Sequence, residues 1–384
     1  MNRYYNPVRT IQGPGCIAEL ENVLTEMDLP HKRVLVLAWD MSVFDLPAVA
    51  ALADPEKGWD VQPRCFCESN PTVEQLFEIY QETRGFAPDV VVAVGGGSIM
   101  DVGKSLCCLY GREIHQVSEL RTVIQLKLYD EPQARWIGVP TTAGTGSETT
   151  CWATIWDPEQ DIKRSVECQQ NYAYAALVDP ELASGMPLGL AVTSALDAVA
   201  HAVESYWAKG TNAVSRALAL GAVRTIMAQM DALLGGEPEA HDSMARGSMM
   251  AGMAFSNTKT TACHSISYPL TMHYQIPHGA AVSMLLAPVL RVNAPHVAEL
   301  PALLDALGVS DADELEHKVQ RYLTRAGLPA TLQGWGVREE DLPRLAQLGL
   351  TRGRADNNPV EIDPEVVLNI LENTYSHYEM SKGA

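Results

Sequence analysis

The chain is short of positive charge. Its 384 residues hold 28 Lys and Arg against 47 Asp and Glu, a formal net charge of −19. Such a surface repels phosphate polymers and anionic lipid, so neither nucleic acid nor a membrane is expected as a partner. An anionic small ligand must be held by local features. Long apolar runs are missing too. No run of 18 apolar residues occurs, and Met1-Asn2-Arg3-Tyr4-Tyr5-Asn6-Pro7 has no apolar signal core. The eight cysteines include no Cys-x-x-Cys pair, and they are too sparse for a disulfide framework. They predict reduced, mostly buried thiols of a cytoplasmic protein. What is present, 47% apolar residues, can build a packed core, and the length predicts two domains.

The first half alternates short apolar runs with amphipathic segments. Arg33–Ala38, Asp89–Val94 and Trp136–Pro140 read as buried strands, and Pro71–Tyr80 as an intervening helix. That alternation predicts an α/β domain over residues 1–185, with a largely parallel sheet. Gly185-Met186-Pro187 reads as a break. Beyond it the chain is rich in Ala, Leu and Met at helical spacing, which predicts an all-helical domain over 186–384.

Two constellations carry chemistry. Asp197 and His201 stand four apart in an Ala-rich segment, so on a helix they share a face. With His264 and Pro277-His278-Gly279 they read as four ligands converging on one divalent metal. A carboxylate buried among alanines and valines is costly unless partnered. One oxygen and three nitrogens suit Fe²⁺ or Zn²⁺ with a position left for a substrate oxygen. The second constellation follows Val91-Val92-Ala93-Val94. Gly95-Gly96-Gly97-Ser98 leads into a helical pattern, so backbone N–H groups can approach an anion, typically a pyrophosphate. It is neither Gly-x-Gly-x-x-Gly nor a P-loop. A second turn, Thr141-Thr142-Ala143-Gly144-Thr145-Gly146-Ser147-Glu148, follows the next strand and can close over the same phosphates.

Taken together these segments resemble the iron-containing (group III) alcohol dehydrogenases. The likeness runs over nearly the whole chain. It includes Gly95–Ser98 with Asp101 and Lys104, the Thr141–Glu148 turn and Val178-Asp179-Pro180-Glu181-Leu182. It continues through Asp197-Ala198-x-x-His201-Ala202-x-Glu204, Gly252-Met253-Ala254-Phe255-Ser256-Asn257 and Pro277-His278-Gly279. The resemblance implies a dinucleotide-binding α/β domain, an all-helical domain and an active site in the cleft between them, with a homodimer as the family default. It places metal ligands at Asp197, His201, His264 and His278, the set already suggested by the residues. It implies cofactor contacts at Gly95, Gly96, Gly97, Ser98, Asp101, Thr141, Thr142, Thr145, Lys163 and Leu182, with Phe255 lining the nicotinamide pocket. Asp40, after the first predicted strand, falls where an acidic residue meets the ribose hydroxyls, which favours NAD(H) over NADP(H).

One position departs from the family. Many members carry a histidine four residues after the third ligand, thought to help proton transfer, where this chain has Tyr268; His273, five further on, is a second candidate to relay the proton through a water. A tyrosine, with an ordinary pKa of ~10, is the poorer proton shuttle near neutrality. The His264-Ser265-Ile266-Ser267-Tyr268-Pro269 segment is similar to that of reductases of small functionalised aldehydes such as phosphonoacetaldehyde. The expected activity is metal-dependent, NAD(P)-linked interconversion of a small alcohol and aldehyde. The alternatives are a non-redox lyase of the dehydroquinate-synthase type and a catalytically silent metal- or nucleotide-binding protein.

Overall fold

The computed structural model describes residues 3–129, 131–160, 162–351 and 353–376. The chain packs as two compact units. One comprises Asn6–Thr142 and Gly146–Ser184; the other comprises the described residues of Met1–Tyr5, Ala143–Thr145 and Gly185–Ala384.

The first unit is built on a six-stranded, all-parallel sheet. Its strands are β1 (Arg9–Gln12), β2 (Arg33–Ala38), β3 (Asp60–Cys65), β4 (Val90–Gly95), β5 (Arg135–Pro140) and β8 (Ala175–Val178). They lie in the order β1-β8-β5-β4-β2-β3. The sequences Arg-Val-Leu-Val-Leu-Ala and Val-Val-Val-Ala-Val-Gly are apolar without alternation, as strands covered on both faces require, and both are buried nearly throughout. Three strands match the predicted runs, with Asp89–Val94 shifted by one residue to Val90–Gly95. The strand ending before Asp40 is thus the second, because the short β1 precedes it. An antiparallel hairpin, β6 (Trp152–Asp157) with β7 (Ile162–Glu167), stands apart from the sheet. Asp157 at its turn is fully buried and accepts from Arg121 Nε at 3.1 Å and Arg164 Nε at 2.7 Å.

Helices α1 (Leu20–Glu26), α2 (Val73–Thr83), α3 (Gly97–Leu109) and α4 (Val117–Gln125) are the main helices of this unit. Helix α2 starts two residues later than predicted because Thr72 caps it. The Thr72 side chain accepts from Gln75 N–H and the Gln75 side chain accepts from Thr72 N–H.

The sheet's topology makes one ligand crevice. From β2 the chain moves outward to β3, then returns to β2's other side as β4. Such a reversal opens a crevice at the carboxyl ends of the two strands on either side of it. Ala38 pairs with Val94, and Gly95 with Pro140, so β2, β4 and β5 end level. The segments that leave there are Trp39-Asp40, Gly96–Ser98 and Thr141-Thr142.

The second unit is helical, and no strand follows Val178 among the described residues. Its centre is α5 (Leu188–Trp207), surrounded by α6 (Ala213–Met227), α7 (Glu239–Thr258), α8 (Ala262–Tyr274) and α9 (His278–Asn293). Alanines along α5 let its neighbours approach closely. The stretch Ala213–Gly235 is long and apolar enough by composition to cross a membrane. Its inward face, including Ala219, Ala222, Val223 and Ile226, is packed in this core.

Candidate metal centre and nucleotide cradle

The metal candidates are assembled from three helices of the second unit. Asp197 and His201 lie one turn apart on α5, His264 is in the first turn of α8, and His278 opens α9. Asp197, His201 and His264 are 3–6% exposed, and one donor atom from each lies within 4.8 Å of the others. Asp197 Oδ2 is 3.7 Å from His201 Nδ1; its Oδ1 is 3.5 Å from His264 Nε2 and 3.9 Å from His278 Nε2. The His278 side chain is 31% exposed, so it forms the open side of the cluster.

Helix α9 reaches α5 because residue 279 is glycine. A Cβ there would sit 2.1 Å from the Thr193 carbonyl oxygen and 3.2 Å from Asp197 Cβ. Any side chain at 279 would force the start of α9, and His278 with it, away from Asp197.

The cluster fits a divalent ion. Asp197 Oδ1, His201 Nδ1 and His264 Nε2 are buried, face one another and have no hydrogen-bond partner among the described residues. Three such atoms converging by accident would be expensive, because each lost its water on folding. One carboxylate and three imidazoles suit Fe²⁺ or Zn²⁺.

Charges inside the cluster point the same way. Burial raises the Asp197 carboxyl, but His201, His264 and His278 outweigh that and hold it well below the usual range. Burial pushes His201 down to about 4, so its ring is neutral at physiological pH. Burial also disfavours a charged His264, yet Glu204 and Asp197 on either side push it up to about 10.

Glu204 closes the Asp197–Glu204 motif, and the sequence alone assigns it no role. It is fully buried, and its Oε2 hydrogen-bonds His264 Nδ1. Burial raises its carboxyl, but His264, Thr261 and Cys263 bring it below the ordinary value. The available signal was spacing, since Glu204 follows Asp197 by seven residues and His201 by three on one helical stripe.

Around the cluster, Phe255 stacks on His201 with centroids 4.3 Å apart and planes at 16°. Tyr268, buried, lies parallel to the His278 ring at 6.0 Å. It is one turn after His264 and so shares its face. His273 is exposed and, nine residues after His264, lies about 180° around α8 from it. The structure therefore brings Tyr268 to the cluster and leaves His273 outside.

The second constellation lies in the sheet unit. Gly96 precedes α3 with no side-chain cap, which leaves the helix's first-turn N–H groups available to an anion. A Cβ on Gly95 would collide with Ile99 at 2.5 Å, and one on Gly96 would press on Thr142 at 3.3 Å. The glycines thus let Gly95–Ser98 and Thr141-Thr142 lie side by side; Thr141 N–H donates to Gly95 O at 3.0 Å. Ser98 Oγ accepts from Asn70 N–H at 3.2 Å.

Asp101 points to the second turn. Its Oδ1 accepts from Ser147 Oγ at 3.0 Å and its Oδ2 from Thr154 N–H at 3.0 Å. Lys104, fully buried, donates to Ser147 Oγ, Thr150 Oγ1 and Trp152 O at 2.7–3.0 Å. Asp40 follows β2, its carboxylate accepts from Ser42 N–H at 2.8 Å, and hydrogen bonds from the Ser42 side chain and backbone hold its pKa below the usual value. Lys163, on β7, sits over the Trp156 ring at 5.6 Å. Leu182 packs on the sheet's hydrophobic core. Thr145 belongs with the helical unit, unlike the other residues of the cradle.

A parallel sheet with a glycine cradle at its crevice, together with a helical unit carrying an Asp/His cluster, describes a nucleotide- and metal-dependent enzyme. The chain belongs to the iron-containing alcohol dehydrogenase family. Residues 7–180 match the family model for iron-containing alcohol dehydrogenase, and residues 191–375 match the model for the C-terminal part of the Fe-containing alcohol dehydrogenase family. The chain is 30% identical to an NAD-dependent methanol dehydrogenase of Bacillus methanolicus, over 97% of this chain and 100% of that protein. It is 29% identical to a lactaldehyde reductase of Escherichia coli, over 80% and 82%. Among solved structures, a sulfoacetaldehyde reductase from Bifidobacterium kashiwanohense in complex with NAD⁺ superposes with a TM-score of 0.86. It is 26% identical and covers 98% of this chain and 99% of that one.

In the metal-free protein the His264 ring is charged at neutral pH, because its pKa lies at about 10. Its proton must leave before Nε2 can bind an ion, whereas His201 has none to give. Near pH 7, binding of Zn²⁺ is therefore expected to release the His264 proton and to tighten as pH rises toward 10. Calorimetry in buffers of different ionisation enthalpy measures that proton. An affinity that stays flat over this range would contradict the assignment of His264.

Proposed function

We propose that the protein is a metal-dependent, NAD(H)-linked reductase of a small aldehyde, with Asp197, His201, His264 and His278 holding the metal. One observation carries this reading: the three buried donor atoms of Asp197, His201 and His264 that face one another without partners. When bound, a divalent ion supplies Lewis-acid polarisation of a substrate oxygen, and a nicotinamide nucleotide supplies the hydride carrier.

This chain's residues do the rest. His278, at the open side, completes the set, and Phe255 shields His201 with an aromatic face. Tyr268 supplies a hydroxyl beside His278 that orients the substrate or passes a proton. Gly95, Gly96, Gly97 and Ser98 receive the pyrophosphate at the start of α3, flanked by Thr141, Thr142 and Thr145. Asp101 fixes the second turn against the first. Lys163 gives a cation to the phosphates and Leu182 an apolar contact. Asp40, ionised at the end of β2, accepts from ribose hydroxyls and repels a 2′-phosphate. His273, the other proton-relay candidate, is set aside because it lies on the far side of α8.

For substrate, the reading is a small aldehyde with an anionic end, such as phosphonoacetaldehyde. It is supported by the Ser-Tyr-Pro segment and by the likeness to a sulfoacetaldehyde reductase. The same reading takes the enzyme as a cytoplasmic homodimer. A reducing compartment suits its eight free thiols, five of them buried.

NADH consumption by Fe²⁺- or Zn²⁺-loaded protein across a panel of aldehydes, anionic ones included, tests the proposal. Turnover is expected to be highest with a short anionic aldehyde. No turnover with any aldehyde, despite bound metal and NADH, would overturn the reading. In that assay Tyr268→Phe should lower kcat by about 10–100-fold, the usual worth of one placed proton-transfer group, with metal content unchanged. Wild-type kcat and KM would make Tyr268 a packing residue. Asp40→Gly should erode the preference for NADH over NADPH by about tenfold, as loss of one charge contact allows. An unchanged preference would remove Asp40 from the cofactor site.

A further inference from the structure

We infer that Glu204 holds a proton on Nδ1 of His264, so that the proton the ring gives up leaves Nε2 and frees that atom for the metal; the inference rests on the metal reading above. Glu204 is fully buried on α5, and its two oxygens serve separate partners. Oε1 accepts from Thr261 N–H at 3.1 Å, Thr261 Oγ1 at 2.7 Å and Cys263 N–H at 2.8 Å, all at the start of α8. Oε2 faces Nδ1 of His264.

The polarity of this network is fixed. Trp207 Nε1 donates to Thr261 Oγ1 at 2.8 Å, and an indole can only donate. The Thr261 hydroxyl therefore turns its own proton to Glu204. Peptide N–H groups likewise only donate, and an ionised carboxylate only accepts. The imidazole must then carry its proton on Nδ1. In the neutral ring the lone pair falls on Nε2, the partnerless buried atom 3.5 Å from Asp197 Oδ1. Glu204 is thus a positioning residue, as carboxylates behind metal-bound histidines generally are.

An amide of the same shape fails at one end or the other. With its NH₂ toward His264, Nδ1 becomes the acceptor and the proton moves to Nε2, where the ion should bind. Turned over, the NH₂ meets three donors at the start of α8.

The test is Glu204→Gln in the full-length chain, with Zn²⁺ affinity measured by competition with a chromophoric chelator and melting followed with and without Zn²⁺. Affinity should fall about 10–100-fold, the usual cost of losing such a carboxylate. The melting-temperature gain on adding Zn²⁺ should shrink in step. A purely structural Glu204 would instead lower melting with and without Zn²⁺ alike and leave affinity unchanged, which would overturn the inference.

His264→Ala separates the two levels. If it keeps full Zn²⁺ binding, the metal reading itself fails. If it loses Zn²⁺ while Glu204→Gln binds as the wild type does, only the role of Glu204 fails. Should Glu204→Gln not fold, ¹⁵N-histidine spectra of the Zn²⁺-loaded wild type decide. A protonated Nδ1 on His264 supports the inference, and a protonated Nε2 refutes it.

Discussion

Burying ionisable groups in an apolar core is expensive unless each finds a partner of opposite character, and α5 does this three times along one stripe. Asp197, His201 and Glu204 are carried by a helix whose other inward residues are mainly alanine and valine. Alanine keeps the helix thin, so α7, α8 and α9 can bring Phe255, His264 and His278 against it. The tightest contact with α5 is Gly279 on the Thr193 carbonyl, where no side chain fits. The all-helical architecture of the second unit thus serves a local electrostatic problem: two carboxylates and three imidazoles must be held close together with little water.

The sheet unit meets a related problem by different means. There the pair is the fully buried Lys104 and the partly exposed Asp101, one turn apart on α3, both directed at the Thr141–Glu148 turn and the strand after it. Burial disfavours the charge on each, and each is the foremost influence opposing that cost for the other. The hydroxyls of Ser147 and Thr150 and the Trp152 carbonyl take up the hydrogen bonds of the ammonium. Glycines at the crevice give flexibility and close approach, and the ion pair behind them gives rigidity. An anion-binding turn needs both to present its N–H groups without rearrangement.

Much of this was legible in the sequence, unevenly. The strands read correctly, β2, β4 and β5, are the central apolar ones, whose composition admits little else. Those missed lie at the edges or are short. Strand β3 contains Pro63, β1 and β8 have four residues each, and β8 is half alanine. The β6–β7 hairpin follows a Gly/Thr turn that drew attention to ligand binding and away from pairing. In the metal cluster, Asp197 and His201 were visible because helical spacing alone joins them. His264 and His278 lie 63 and 77 residues beyond His201, and only folding brings them near. Glu204 shares the stripe of Asp197 and His201, but its partner His264 lies on α8, and spacing along α5 alone does not reveal that contact. His273 and Tyr268 were indistinguishable as proton carriers until the helix's rotation separated them.

The partnerless donors of the Asp197 cluster also bear on how the folded chain persists. An unfolded chain scatters these donors and has no comparable pocket, so an ion taken up by the native state draws the folding equilibrium toward itself by mass action. At one hundred times its dissociation constant that pull is worth about 2.7 kcal/mol, a large share of the stability of an ordinary domain. Metal supply then governs abundance as well as activity. A chain deprived of the ion forgoes that stabilisation, so the folded fraction follows metal supply.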